Sequence, residues 1–334
     1  NGRLLHDKME GKPAWYATAD YIPMYVGNHV ENVVFSKDIR STLVSQSLDY
    51  CSSQINRALE NLRPYDFTMM PRNILNGEQT WNLRKASPQE WCSGFWPGIL
   101  WMDFAYNKSE AIQKAAKGYT DALLPVVAQP VYDHDLGFIT INALLKGYEI
   151  SKDERYRKVA LLAADSLATL FNPAVGTILS WPRHIKDYGG HNTIMDNMMN
   201  LELLFWAAEH GGSPRLKDIA IRHAETTMKH HFRPDGSCYH VAVYNQRTGK
   251  FLCGKTHQGY SDNSMWSRGQ AWAIYGYTMV YSFTKDKRFL DQAQKAAGIY
   301  MKRLKETSDD CIPRWAMDAP DDVKDASAAC IIAS

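Results

Sequence analysis

What this chain can fold into is constrained most by a repeat. Four segments, 95–106, 136–150, 201–208 and 271–283, are apolar nearly all round, and each is followed by a polar turn and an amphipathic stretch. The stretches at 153–160, 213–220 and 286–293 share a polar residue, an Arg, an apolar residue and an Ala five positions after the Arg, with 109–116 as a degenerate copy. The Arg positions 155, 215 and 288 lie 60 and 73 residues apart, long for a solenoid but suited to helical hairpins joined by long functional loops. A helix without a polar face has to be enclosed, and an amphipathic helix can cover it. A ring of hairpins, buried helices inside and amphipathic helices outside, meets both demands without an interdomain linker. The expected architecture is therefore one α/α toroid over 35–334. Residues 1–34, rich in aromatics and Pro without helical or alternating period, are expected to form an extended arm. The clear strand signal, 238–244 with the turn 245–249 and Gly254, reads as a β-hairpin on the rim.

Composition excludes several classes of function. Lys+Arg 38 against Asp+Glu 36 leaves a net charge of +2, too little to attract polyphosphate, so no nucleic-acid partner is expected. No apolar run reaches the roughly 18 residues of a membrane span. The six cysteines form no CxxC pair, which indicates free thiols rather than a disulfide framework or a zinc site.

Chemistry-bearing residues gather in the longer connections. Tyr132-Asp133-His134-Asp135-Leu136-Gly137-Phe138 places two acids and a His at the entry to a buried helix, and Asp196 repeats the situation in Ile194-Met195-Asp196-Asn197-Met198-Met199-Asn200. Asp is a favoured N-cap, so capping fits Asp135 and Asp196 as well as chemistry does. The methionines around Asp196 desolvate it, which raises a carboxyl pKa and makes a proton donor near neutral pH. In Trp266-Ser267-Arg268-Gly269-Gln270-Ala271-Trp272, Arg268 and Trp272 share a helical face one turn apart. A guanidinium fork beside an indole suits a carboxylate on a sugar ring; the other reading is a surface cation–π stack. Mid-helix Gly269, costing up to about 1 kcal/mol relative to Ala, implies a close approach by something. His240 and Gln258 flank the hairpin, and Trp181 lies in the loop Ser180-Trp181-Pro182-Arg183. His223, His230 and His231 fall on an outer helix without HExxH spacing, so no metal is expected. The lack of GxSxG, Walker and GxGxxG patterns removes the usual serine hydrolase and nucleotide readings.

Joined to Gly94-Phe95-Trp96-Pro97-Gly98-Ile99-Leu100-Trp101, Arg233-Pro234-Asp235-Gly236-Ser237-Cys238-Tyr239-His240, Thr256-His257-Gln258-Gly259 and Asp325-Ala326-Ser327-Ala328-Ala329, these segments resemble glycoside hydrolase family 88, the unsaturated glucuronyl hydrolases, from about Trp91 onward. The resemblance implies an all-α (α/α)6 barrel, bacterial and cytoplasmic or periplasmic, with no cofactor. It implies removal of a 4,5-unsaturated uronic acid from the non-reducing end of lyase-generated, glycosaminoglycan-type oligosaccharides. It makes Asp196 the catalytic acid/base and Asp135 the second essential acid, with substrate contacts from His134, Trp181, His240, Gln258, Arg268, Trp272 and Trp91. The implied chemistry hydrates the C4=C5 enol ether instead of displacing at the anomeric carbon. It needs Asp196 protonated, with Asp135 expected to stay ionised beside it. The alternatives are an unsaturated rhamnogalacturonyl hydrolase acting on pectin fragments and a non-catalytic sugar-binding toroid. The 266–272 stretch resembles the glucuronyl family more closely, and intact Asp135 and Asp196 argue against the toroid. The arm has no counterpart in the resemblance, and the last hairpin is expected to be incomplete, because the helix starting near Ala326 meets the end of the chain at Ser334.

Overall fold

The computed structural model describes residues 37–75 and 77–334, with side chains from residue 43, and four short strands ahead of them. The chain divides into two compact units, 1–64 with 103–108 and 65–102 with 109–334. In the first unit Asp7–Met9 (β1) pairs antiparallel with Lys12–Ala14 (β2), Tyr21–Val26 (β3) pairs with His29–Val34 (β4), and Lys37–Leu62 is a helix (α1). Beyond these strands, the expected arm lies outside the described residues.

The second unit is built from the repeat. Met69–Asn73 (β5) and Asn82–Lys85 (β6) form a hairpin ahead of Phe95–Asn107 (α2), of which residues 103–107 fall in the first unit, and Glu110–Val127 (α3) follows. Leu136–Thr140 (α4) runs through a π-helical turn at Ile141–Leu145 into Lys146–Ser151 (α5), and Glu154–Ala168 (α6) follows. Next come Phe171–Asn172 (β7), Thr177–Ile178 (β8), Ile185–Tyr188 (α7), His191–Ile194 (β9), Asn197–Glu209 (α8) and Arg215–His230 (α9). Val241–Tyr244 (β10), Phe251–Lys255 (β11), Ser267–Thr284 (α10), Lys287–Thr307 (α11) and Ala326–Ala333 (α12) complete the chain. The inner helix α8 packs between α4 and α10, and α10 also packs on α12, while the outer helix α6 lies between α3 and α9.

The repeated residues act at the turns. Asp153 and Asp286 accept the backbone N–H groups of Arg155 and Arg288 at 3.0 and 2.9 Å, satisfying donors that a helix start leaves orphaned. Arg155 also reaches back to Asp121 on α3 at 3.1 Å and Arg288 to Glu225 on α9 at 2.9 Å, tying each outer helix to the one before it. The apolar residue and the Ala of each copy, Tyr156 with Ala160, Leu216 with Ala220 and Phe289 with Ala293, are buried. Left-handed residues, Lys108, Lys152, Gly211 and Lys285, reverse the chain between inner and outer helices. Because each inner helix from α4 onward follows an outer one, these inner helices run in the same direction, and the loops entering them collect at one end.

The rim hairpin forms as β10 and β11, but it gains a third strand: the sheet order is β11-β10-β9, with Ile194 opposite Val241 and His191 opposite Tyr244. All four residues of β9 are buried, so its sequence shows no alternation of apolar and polar residues. A buried polar layer lies between this sheet and α9. Thr177 Oγ1 bonds His191 Nε2 at 2.9 Å, His223 Nδ1 accepts from Ile178 N at 3.0 Å, and His231 Nε2 donates to Thr193 O at 3.0 Å. His223 and His231 thus turn inward, fully buried, while His230 stacks on Phe251.

Burial pulls the His191 and His231 pKa values down to about 4 and that of His223 well below the ordinary value. These rings are neutral when folded and titrate near 6.5 when unfolded. Their contribution is therefore fully present above about pH 6.5 and is lost as pH falls toward about 4. Melting temperature is expected to drop across that window, and His231→Gln should flatten part of the drop; a profile as steep in the variant as in the wild type would place the acid sensitivity elsewhere.

Candidate active site

Strand pairing creates the central contact of the site. With Ile194 opposite Val241, Met195 N donates to His240 O at 2.9 Å, and Asp196 and His240 emerge side by side from adjacent strand ends. His240 Nε2 stands 3.5 Å from Asp196 Oδ2. Its Nδ1 accepts the backbone N–H groups of His257 and Gln258, both at 3.2 Å, so the ring presents an Nε2–H toward the carboxylate.

His134 is oriented in the same manner. Asn200 Nδ2 donates to its Nδ1 at 2.9 Å, and Nε2 faces Asp135 Oδ1 at 3.4 Å. Asn200 can approach because Gly137 on α4 has no side chain; a Cβ there would collide with the Asn200 amide. Trp181 is pinned by Asn192, whose side chain bonds both its N and its O at 2.9 and 3.1 Å. The Trp181 ring lies 6.1 Å from His134 and 6.3 Å from His240. Phe138 links His134, Trp272 and the half-exposed Trp91 at ring separations of 6.4, 5.4 and 6.1 Å. Gln258 Oε1 accepts from Arg268 Nη1 at 3.3 Å. All the site residues singled out in the sequence therefore join one contiguous network.

Three local expectations are corrected. Neither Asp135 nor Asp196 caps its helix: both have helical backbone, ψ −9° and −28°, and make no capping bond, whereas the true caps Asp153, Asp286 and Asp325 are extended, with ψ of 111°, 114° and 92°. Arg268 does not stack on Trp272. Its guanidinium lies over Trp266 at 5.2 Å and its Nη2 pairs at 2.8 Å with buried Asp325, the N-cap of α12, while Trp272 packs inward on Phe138. The close neighbour implied by Gly269 is the Trp266 ring itself.

The third correction concerns the proton. Burial pushes the Asp196 carboxyl up, but its interaction with His240, by hydrogen bonding and charge, and the charge of His134 outweigh it, leaving Asp196 below the usual range. Asp135 is raised well above that range, by burial first and then by the charges of Asp133 and Asp196, with Arg183 pulling the other way. In the free protein Asp135 therefore holds a proton more tightly than Asp196 does. Asp133, Arg183, Asn200 and Trp266 were not singled out as site residues. Asn200 could have been found, standing one turn after Asp196; the partnership of Asp133 with Arg183 has no local signal. Asp196 Oδ2 and His240 Nε2 meet only at 3.5 Å, and His134 Nε2 and Asn200 Oδ1 are likewise buried without a close hydrogen-bond partner. Buried polar atoms seldom stay unpaired, and this group suits a ligand rich in hydroxyls.

Residues 66–334 match the model of Glycosyl Hydrolase Family 88. The chain belongs to this family. An unsaturated glucuronyl hydrolase of Formosa agariphila is 39% identical over 256 residues, covering 75% of this chain and 63% of that protein. An unsaturated chondroitin disaccharide hydrolase of Streptococcus pyogenes serotype M1 is 33% identical over 249 residues, covering 72% and 61%. The chain thus spans less than two thirds of the length of these relatives. A crystal structure of an unsaturated glucuronyl hydrolase specific for heparin superposes with a TM-score of 0.78 at 38% identity, covering 86% of this chain and 75% of that one. The fold is the (α/α)6 barrel of these structures, with the family 88 motifs lining the end where the inner helices begin. Among the described residues no helix is long and apolar enough to cross a membrane.

In this family 88 chain the Arg268–Asp325 pair joins α10 to α12 beside the site. Arg268→Met would leave a buried carboxylate without its cation, and denaturant unfolding of both single variants and the double is expected to give a coupling energy of about 1–3 kcal/mol. Additive losses would show that the two residues act independently.

Proposed function

We propose that the chain removes a 4,5-unsaturated uronic acid from the non-reducing end of lyase-generated, glycosaminoglycan-type oligosaccharides by hydrating the C4=C5 double bond. The observation that carries this reading is the pair of largely buried carboxyls, Asp135 raised and Asp196 lowered in proton affinity, set among aromatic rings and polar atoms without close partners. Two acids whose environments push their proton affinities apart are the mark of acid–base chemistry. Relatives named for chondroitin disaccharides and for heparin support the substrate class.

Such a coupled pair holds one proton between its members. A uronate carboxylate arriving beside Asp196 adds negative charge, which raises the proton affinity of Asp196 and draws the proton to it. Asp196 then protonates C4, and the cation left at C5 is stabilised by the ring oxygen. Water adds at C5 and returns a proton to the Asp196 carboxylate. The hemiketal at C5 opens to a ketone, and the C1 acetal, now a hemiacetal, expels the rest of the oligosaccharide, so that one water is consumed per bond cleaved. The Nε2–H of His240 keeps the Asp196 carboxylate in place, and Gln258 with Arg268 faces the uronate carboxylate. Trp181, Trp272 and Trp91 offer ring faces to the sugars.

Turnover is read as loss of the ultraviolet absorbance of the conjugated enol ether. Asp196→Asn is expected to lower kcat by at least about 10²–10⁴-fold without unfolding the protein, and activity within about tenfold of wild type would overturn the assignment. In ¹⁸O-water the label should appear first at C5 of the released keto-sugar; label first at the new reducing end would mean direct glycosidic cleavage.

A further inference from the structure

We propose that Asp133, clamped by Arg183, is a positioning residue that fixes the place of Asp135 in the site and sets a negative charge beside its carboxyl. Asp133 is 3% exposed, a depth at which a carboxylate has to be paired. Its Oδ1 accepts the backbone N–H of Asp135 at 2.9 Å and its Oδ2 accepts Arg183 Nη1 at 2.6 Å. Arg183 is partly exposed and lies over the Tyr132 ring at 4.7 Å, so the cation stands at the outer side of the turn. One carboxylate therefore does two things: it closes the turn that carries Asp135, and it sets a fixed negative charge beside that residue.

The groups facing Asp135 divide by sign. From its own turn come Asp133 and His134, from the segment before α7 comes Arg183, and from the start of α8 comes Asp196. Burial draws the pKa of His134 down, and His134 is not among the charges that act on Asp135. Asp133 and Asp196 both disfavour ionisation of Asp135, and Arg183 favours it. The short ion pair to Arg183 holds the Asp133 carboxylate in a dry place beside Asp135. An Asn at 133 would close the same turn through the same oxygen, so closing the turn does not require the charge; its effect falls on Asp135.

That difference provides the test. The inference depends on the hydration reading only for what the proton is used for, so the measurement is made on the full chain without substrate. Infrared titration follows the protonated carboxyl band, assigned to Asp135 by its disappearance in Asp135→Asn. In Asp133→Asn this band is expected to be lost at a pH lower by about one unit or more than in the wild type, and the alkaline limb of kcat/KM should move the same way. Arg183→Lys, which preserves the cation, should leave the midpoint nearly in place. An unmoved Asp135 midpoint in Asp133→Asn overturns the proposal, whatever happens to the rate or the melting temperature. If the Asn variant does not fold, Arg183→Gln serves instead: removing the cation should move the titration of the Asp133–Asp135 pair to higher pH, and an unchanged titration overturns the proposal equally. An infrared shift in a protein that leaves the enol ether intact would defeat the hydration reading and keep the positioning role, whereas turnover with no shift would do the reverse.

Discussion

A helix that is apolar on every side has to be surrounded on every side, and α8, with its N-terminal end and most of its middle buried, is such a helix. Enclosing it requires α4 and α10 on either hand and an outer layer behind. With each inner helix followed by an outer one, the inner helices run in the same direction and their entry loops meet at one end. Residues as distant in sequence as His134 and Asp325 come together there because the apolar helices have no other way to leave water. The positive ends of the inner helices also point that way, favourable ground for carboxylates.

The entry loops start from similar chemistry and finish with different chemistry. Asp135 and Asp196 each precede an inner helix, each has helical backbone, and each is largely buried. Burial raises the proton affinity of both. What separates them is the neighbour that the fold supplies: His240, delivered by the pairing of β9 with β10, lowers Asp196, and Asp133, two residues away, raises Asp135. The resulting pair sets one carboxyl of raised and one of lowered proton affinity in the same site.

Much of the architecture was legible because it follows from interactions within a few residues. The polar residue of each repeat copy caps its helix or, in the case of Ser213, bonds the N–H of Arg215, and the apolar residue and Ala face inward. Where expectation failed, the competing partner came from far along the chain. Arg268 and Trp272 are one turn apart, yet Asp325 draws the guanidinium to Trp266. Asp135 and Asp196 stand where caps stand, yet their backbone is already helical. The four residues of β9 are buried on both faces, so the strand left no periodic trace.

The order of residues by itself determined the helical hairpins, their inner and outer faces, the turn residues and the places where unusual polar groups cluster. Each depends on periodicity and capping, which act over one or two turns of chain. Only the tertiary structure decided which carboxyl holds a proton more tightly, which ring the arginine covers and which histidines are buried, because charge, burial and hydrogen bonding act through space, most often between residues that the sequence keeps dozens of positions apart.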